Sequence, residues 1–321
     1  MNIGIWCAAI GAAVVGGTAI ACTAGAHKLF NRVIPRQDML RVDLNEMADM
    51  TKWEEYKKMI SPRVEWLNTQ PLEHITIKSR DGLALKGYYL ASKGESRGVL
   101  LCHHGYTSSA LKDCVSIAKF FYEELGYDFL LVDNRAHGES EGDYIGFGIL
   151  DRYDCLAWID YLNKRFKNKD ILLYGVSMGA STVLMTAGFD GLPKKNVKAI
   201  ISDCAFTSPY DVFSHILKRD YHLPPFPIMN INDSLSRKKA GYGFKDYSTI
   251  DAVKKAEVPI LFIHGSEDDF VPTHMSRENY ENCRSPKELL IVENAAHAAA
   301  YYENPELYEK TIKSFLTKYV G

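Results

Sequence analysis

The stretch that decides the fold is YGVSMGAST, residues 174–182, in which Ser177 stands between Gly175 and Gly179. It follows the apolar run DILLYGV, residues 170–176, and opens the helix-compatible stretch MGASTVLMTAG, residues 178–188. Two glycines at this spacing permit a sharp strand-to-helix turn, which lifts a serine hydroxyl clear of the backbone at the helix N-terminus. The Gly-x-Ser-x-Gly pattern alone is weak, but the strand before it and the helix after it predict an exposed, nucleophilic Ser177.

A serine hydroxyl is a poor nucleophile until a histidine accepts its proton and a carboxylate holds that histidine in position. Downstream, HGSEDDFVP (264–272) offers Asp268 and Asp269, and ENAAHAAAYYENPELY (293–308) offers His297. Asp203, in ISDCAF after another apolar run, is a third candidate, although a structural role in a turn is favoured there. Among the ten histidines, only His297 has the order and loop position that this chemistry requires.

Six short apolar runs alternate with helical stretches, a pattern typical of parallel strands buried on both faces. They cover residues 98–104, 127–133, 170–176, 197–203, 258–265 and 287–293. Before them, LEHITIK and LALKGYYLA flank Asp81-Gly82, a hairpin-turn dipeptide. The sequence therefore predicts an α/β fold with an eight-stranded, mostly parallel sheet and helices on both faces. The long connection 205–257 is predicted to form a small cap.

Composition narrows the possible partners. The 321 residues carry a net charge of −2, with 46% apolar and 24% charged residues, which is ordinary for a globular protein and does not indicate nucleic-acid binding. The seven cysteines form no Cys-x-x-Cys pair, so free thiols are expected. The acidic run GSEDD lacks the alternating ligand spacing of a calcium loop. Neither a metal ion nor an organic cofactor is predicted.

The amino-terminal end suggests a membrane anchor. Residues 3–26 carry no charge, and a helix of that length, at about 1.5 Å per residue, crosses a hydrocarbon core of roughly 30 Å. Because no Lys or Arg precedes the run, a retained single-pass anchor is favoured over a cleaved signal peptide. Basic residues after the run favour a cytoplasmic domain, but the side of the membrane stays open. The predicted divisions are an anchor (1–26), a helical connector (27–70) and a catalytic domain (71–321).

From about residue 72 to 320, the chain resembles the α/β-hydrolases, and more narrowly the bacterial, membrane-anchored serine hydrolases grouped with prolyl-oligopeptidase-like and acyl-esterase-like members. The motifs that carry the resemblance are HHGYTSS, DNRAHGES, YGVSMGAS, HGSEDDFVP and AAHAAAYYENPE, in that order. Two positions depart from the family pattern. Alanine replaces the usual glycine before His297, and DNRAHG replaces the commoner D-x-R-G-H-G.

The resemblance implies a role for each site residue. Ser177 is the nucleophile, His297 the base and Asp268 the acid, since the family's acid lies three residues after the glycine of His-Gly. The tetrahedral intermediate needs two N–H donors. One is expected from the backbone of Met178, directly after the nucleophile, and the resemblance assigns the other to Tyr106. The Tyr106 side chain is alternatively expected to line an acyl pocket or simply to pack, and DNRAHGES is expected to be a structural loop.

These features predict a serine hydrolase that cleaves carboxylic esters of modest size through an acyl-enzyme. An aminopeptidase-like or thioesterase activity is the first alternative, because the same three side chains serve all of them. A non-catalytic, membrane-tethered binding protein is the alternative from a different class. The expected partners are a small ester, acyl or short peptide substrate and, through the amino-terminal helix, a membrane.

Overall fold

The computed structural model describes residues 22–37 and 50–321, and within them one eight-stranded sheet forms the centre. Its order is β1-β2-β4-β3-β5-β6-β7-β8; β2 pairs antiparallel with β1 and β4, and all other pairs are parallel. The predicted sheet, with its leading hairpin, is confirmed. The strands are β1 (Glu73–Lys78), β2 (Ala84–Leu90), β3 (Val99–His103), β4 (Asp128–Val132), β5 (Ile171–Val176), β6 (Val197–Asp203), β7 (Ile260–Gly265) and β8 (Lys287–Val292).

Helices cover both faces of this sheet, as the continuous apolar runs predict. Short π-helical and 3₁₀ segments occur at Phe120–Glu124 and Pro193–Lys195. The α-helices are α1 (22–33), α2 (Met50–Asn68), α3 (Ala110–Asp113), α4 (Val115–Lys119), α5 (Asp151–Arg165), α6 (Met178–Thr186), α7 (Pro209–Tyr221), α8 (Ile228–Ala240), α9 (Thr249–Val253), α10 (His274–Asn282), α11 (Ala300–Glu303) and α12 (Pro305–Tyr319).

Each face of the sheet has its own apolar core. Successive strand residues point to opposite faces, so Leu100 packs with α2, α4 and α12 on one side, whereas Leu101 packs with α5 and α6 on the other. Both leucines are fully buried. This two-sided burial explains why the inner strands read as continuous apolar runs.

The segment 205–257, predicted to form a cap, contains the three helices α7, α8 and α9. A third apolar cluster joins the first two of these helices to α1, and it includes Phe30, Val212, Met229 and Phe244. This cluster lies beyond the carboxyl ends of the strands, next to the loop that carries Ser177, because Met178 belongs to it. The cap and α1 therefore enclose the region above the predicted nucleophile.

The transmembrane helix predicted for residues 3–26 lies outside the described residues, except for 22–26. Those five residues belong to α1, in which Ala26 and Phe30 are buried against the domain, as is Ile34 just after it. The boundary predicted at residue 26 thus falls inside a packed helix. In the part of the chain that the structure describes, no helix combines the length and apolar character needed to span a membrane.

The DNRAHGES segment is a buried polar loop after β4. Arg135 donates from Nε and Nη2 to the two carboxylate oxygens of Asp154, at 2.6 and 2.7 Å, and both side chains are almost fully buried. Burial raises the pKa of Asp154 to about 6, even beside this arginine. Arg135 also contacts Asp81 of the β1–β2 turn, so the loop joins the hairpin to α5.

Replacing Arg135 by alanine is expected to destabilise the protein by about 3–5 kcal/mol, because it leaves the Asp154 carboxylate buried without its partner. Denaturant unfolding of wild type and Arg135→Ala measures the difference. Lys119→Ala is the control, since Lys119 pairs with Glu123 on the exposed surface and such pairs contribute about 1 kcal/mol or less. Equal stability losses in the two variants would contradict the structural role of the loop.

Candidate active site

Ser177 lies at the turn between β5 and α6. Its backbone has φ 54° and ψ −113°, an unfavourable conformation for a residue with a side chain. Two hydrogen bonds hold it there: the Ser177 N–H donates to the Asp203 carbonyl at 2.8 Å, and the Ser181 N–H donates to the Ser177 carbonyl at 3.0 Å. The strained turn expected from the motif is therefore present.

The two glycines of the motif are required by close backbone contacts. A Cβ atom on Gly179 would lie 2.1 Å from the carbonyl oxygen of His103 in β3, and one on Gly175 would lie 2.3 Å from the backbone of Gly179. Any side chain would push α6 away from the two central strands. The glycines thus fix where α6 begins and, with it, the position of the Ser177 side chain.

The structure brings Ser177, His297 and Asp268 together in a hydrogen-bonded chain. Ser177 Oγ lies 2.9 Å from His297 Nε2, and His297 Nδ1 lies 2.7 Å from Asp268 Oδ2. The other carboxylate oxygen of Asp268 accepts the N–H groups of Phe270 and Val271 at 3.1 and 2.9 Å. With the Nδ1 proton directed at Asp268, Nε2 is free to accept the proton of the serine hydroxyl.

Of the three candidate carboxylates, Asp268 is the one that contacts His297. The Asp269 side chain is 87% exposed, and its backbone carbonyl accepts hydrogen bonds from α7. The Asp203 carboxylate is buried and accepts the hydroxyl of Tyr308 at 2.8 Å, but it makes no hydrogen bond to His297. The geometry therefore agrees with the assignment of Asp268 that the family resemblance implies.

Burial and electrostatic attraction shift the pKa values of Asp268 and His297 in opposite directions. Burial alone raises the pKa of Asp268, but the charge of His297, with hydrogen bonds from His264 and His297, holds that pKa well below its usual value. Burial alone lowers the pKa of His297, but the negative charge of Asp268 and its hydrogen bond raise it above the ordinary value of 6.5. Asp268 is thus ionised at neutral pH and stabilises a proton on His297.

The loop after β3 lies directly over the nucleophile. A Cβ atom on Gly105 would be 3.4 Å from the Ser177 Cβ, and Tyr106 is the next residue. Met178, the first residue of α6, has an N–H without an acceptor inside the helix. The two backbone groups predicted to bind an oxyanion therefore belong to segments that flank Ser177.

Sequence reasoning missed Asp113, which holds this loop. Its half-buried carboxylate accepts the Gly105 N–H at 2.7 Å and the Ser108 hydroxyl. The Tyr106 side chain contacts different residues: its hydroxyl donates to the Val33 carbonyl at 3.2 Å, and its ring packs against Phe147. The loop backbone is therefore held by Asp113, whereas the Tyr106 side chain packs against α1 and the loop before α5.

A pocket of about 380 Å³ opens at Ser177 and extends beneath the cap, a size within the range of small-molecule sites. Most of its walls are apolar or aromatic side chains. They come from α1, the loop before α5, α7, α8 and the segment after α8, and include Leu29, Val33, Phe147, Phe213 and Phe244. The contribution of α1 was not predicted, because its residues were divided between the anchor and the connector.

Three side chains of the site are of types that bind metal ions. Cys204, Asp268 and His297 bring ligand-type atoms within 4.8 Å of one another. Zinc would need a thiolate and a free imidazole nitrogen. Both ring nitrogens of His297 are already hydrogen-bonded, and burial raises the pKa of the Cys204 thiol well above its usual value. The arrangement favours a hydrogen-bonded catalytic group over metal ligation.

Covalent labelling of Ser177 by a fluorophosphonate is expected to accelerate with rising pH, with a midpoint above 6.5, because only neutral His297 accepts the serine proton. Asp268→Asn removes the charge that raises the His297 pKa, so the midpoint should move to lower pH and labelling should slow. Asp269→Asn, on an exposed side chain, is the matched control and should keep the wild-type midpoint. An unchanged midpoint in Asp268→Asn would contradict this electrostatic coupling.

Comparisons with known proteins agree with this geometry. Residues 98–227 match the family described as alpha/beta hydrolase fold. The uncharacterized protein YqkD of Bacillus subtilis is 32% identical over 244 residues, which cover 75% of this chain and 77% of that protein. The alpha/beta hydrolase domain-containing protein WAV2 of Arabidopsis thaliana is 25% identical over 258 residues, covering 77% of this chain and 79% of that protein.

Solved structures share the architecture. An esterase of Pyrococcus furiosus aligns with a TM-score of 0.65 at 22% identity, over 83% of this chain and 94% of that one. Est1E of Butyrivibrio proteoclasticus, with ferulic acid bound, aligns with a TM-score of 0.61 at 22% identity, over 77% of this chain and 99% of that one. Sheet order, strand-to-helix turn and relatives lead to one conclusion: this chain belongs to the α/β-hydrolase fold family.

Proposed function

We propose that the protein is a serine hydrolase that cleaves carboxylic esters through an acyl-enzyme on Ser177. The observation that carries the proposal is the hydrogen-bonded chain from Ser177 through His297 to Asp268, at 2.9 and 2.7 Å, at the opening of an apolar pocket. A nucleophile, a base and a group that orients the base are the parts that acyl transfer requires.

The mechanism follows from the positions of these groups. His297 Nε2 takes the proton of Ser177 as Oγ attacks the ester carbonyl carbon, and ionised Asp268 stabilises the resulting imidazolium. The oxyanion receives N–H bonds from Met178 and Tyr106. His297 then gives its proton to the leaving alkoxide, which departs as the alcohol. Water, deprotonated by His297, attacks the carbonyl carbon of the acyl-enzyme. His297 then returns that proton to Ser177 Oγ, which releases the acid and free Ser177.

The pocket favours an ester over a peptide with a free amino terminus. An aminopeptidase needs an available carboxylate for the substrate ammonium group. Among the described residues that line the pocket, Asp220 is the one carboxylate, and Arg219 donates to it at 2.5 Å. Solved structures of the same fold include esterases, which supports an ester substrate by analogy. The narrower grouping with prolyl-oligopeptidase-like and acyl-esterase-like members stays a prediction.

Hydrolysis of p-nitrophenyl butyrate tests the proposal. Ser177→Ala and His297→Ala are each expected to lower kcat by about 10⁴-fold or more, because both groups act in one catalytic unit. Asp269→Asn, which changes an exposed neighbour of the acid, should keep the wild-type rate. Butyrate hydrolysis that persists in purified Ser177→Ala would overturn the assignment. A wild type that neither cleaves esters nor reacts with fluorophosphonate would favour the tethered binding protein.

Membrane attachment through residues 3–26 is a separate proposal, supported by the absence of charge in that stretch. The full chain is expected to sediment with membranes and to resist extraction by high salt, whereas residues 22–321 should be found in the supernatant. The shorter chain keeps α1, whose buried Ala26 and Phe30 contact the domain. Recovery of the full chain in the supernatant would contradict the anchor.

A further inference from the structure

Residues 29–37, which follow the predicted anchor, are built into the domain. The 29–37 segment contains the last turn of α1 and the extended stretch after it. Its backbone pairs with the loop before α5: Ile145 N–H donates to the Ile34 carbonyl at 2.9 Å, and Arg36 N–H donates to the Asp143 carbonyl at 2.8 Å. Ile34 is buried. These bonds hold the segment in one register against the domain.

The 29–37 segment forms one wall of the pocket that opens at Ser177. Leu29 and Val33 are one helical turn apart and both line it. Other walls include Phe213 and Phe244, which pack on each other in the cap at a ring separation of 5.1 Å. Removing the segment would leave the pocket open along the side formed by α1.

The wall is also tied to the loop that covers the nucleophile. Tyr106 donates its hydroxyl to the Val33 carbonyl at 3.2 Å, and the preceding Gly105 lies against Ser177. The Tyr106 ring lies on Phe147, with centroids 5.4 Å apart. Val33 is therefore held in a defined position relative to the reacting serine.

The lining indicates which half of the ester occupies the pocket. Ser177, Met178 and Tyr106 line it, and so does Phe270, whose ring lies 5.0 Å from the His297 ring. Met178 and Tyr106 flank the proposed oxyanion position. The pocket therefore surrounds the position of the ester carbonyl, and we assign the acyl group to it.

The volume indicates the length of the acyl chain. A methylene group takes up roughly the volume of a water molecule in the liquid, about 30 Å³, so a pocket of about 380 Å³ holds on the order of ten such groups. The predominantly apolar walls favour a hydrocarbon chain, because each methylene that moves from water into the pocket adds favourable transfer free energy.

We propose that the 29–37 segment determines substrate specificity, as the wall of a pocket for an apolar acyl chain of about ten carbons. This inference rests on the proposed serine hydrolase activity. The segment precedes the predicted catalytic domain in sequence, but it contacts the substrate directly and contributes to specificity.

The test replaces Val33 by tryptophan and compares kcat/KM for p-nitrophenyl decanoate and acetate. The added indole should fill the wall side of the pocket and lower the decanoate-to-acetate ratio by about tenfold or more, since even one methylene in a pocket changes kcat/KM by about this factor. Asn31→Trp is the matched control, because Asn31 is exposed on the same helix. Its ratio should equal that of wild type, and an unchanged ratio in Val33→Trp would overturn the proposal.

If Val33→Trp does not fold, two smaller substitutions test the same proposal. Val33→Ala and Leu29→Ala only remove atoms from the wall, so each should raise kcat/KM for p-nitrophenyl dodecanoate relative to decanoate. Wild-type chain-length preference in both variants would overturn the proposal.

Calorimetric titration with decanoate, the acid released from the preferred ester, separates this proposal from the catalytic one. Decanoate should bind wild type and Asn31→Trp, and bind Val33→Trp at least tenfold more weakly. The same result in a wild type that cleaves no ester would support the acyl pocket while overturning the hydrolase. Ester cleavage without any effect of Val33 on chain length would overturn the acyl pocket while leaving the hydrolase in place.

Discussion

The close packing of three backbone segments beneath Ser177 is the constraint on which the site depends. Gly179 lies against the His103 carbonyl and Gly175 lies against Gly179, so α6 begins immediately at the end of β5. The chain can then turn only through the strained conformation of Ser177. A similar contact, Gly265 against the Ala295 carbonyl, holds together the loops that carry the carboxylate and the histidine. Rigid glycine contacts thus position the reacting groups.

The site combines a buried charge with an apolar cavity, and the two depend on each other. The Asp268 carboxylate is ionised because backbone N–H groups and His297 compensate its burial. In such a water-poor environment its charge acts strongly on the imidazole. The same exclusion of water makes the neighbouring pocket suitable for hydrocarbon. Exclusion of water therefore strengthens the electrostatic interaction between Asp268 and His297 and favours an apolar group in the pocket beside them.

Local sequence predicts the sheet and the candidate catalytic residues, because both depend on short contiguous patterns. The run at 98–104 forms β3, and the order of the motifs after the strands predicts Ser177 and His297. Adjacent Asp268 and Asp269 could not be separated by local pattern, since the turn decides which side chain faces inward and only the family resemblance chose between them. The role of Val33 depends on the long-range pairing of Ile34 with Ile145, which no local pattern indicates. The buried residues Ala26, Phe30 and Ile34 are four residues apart, but the uncharged run before them favours a membrane helix instead.

The pocket and the reacting groups come from different parts of the chain. Ser177, Asp268 and His297 stand on loops after β5, β7 and β8, whereas most of the walls come from α1, the loop before α5 and the cap. Substitutions in a wall can therefore accumulate during evolution without moving the nucleophile or its base. In such an arrangement, related chains can diverge in substrate while they inherit the same chemistry, and the amino-terminal segment is one of the places where that divergence can begin.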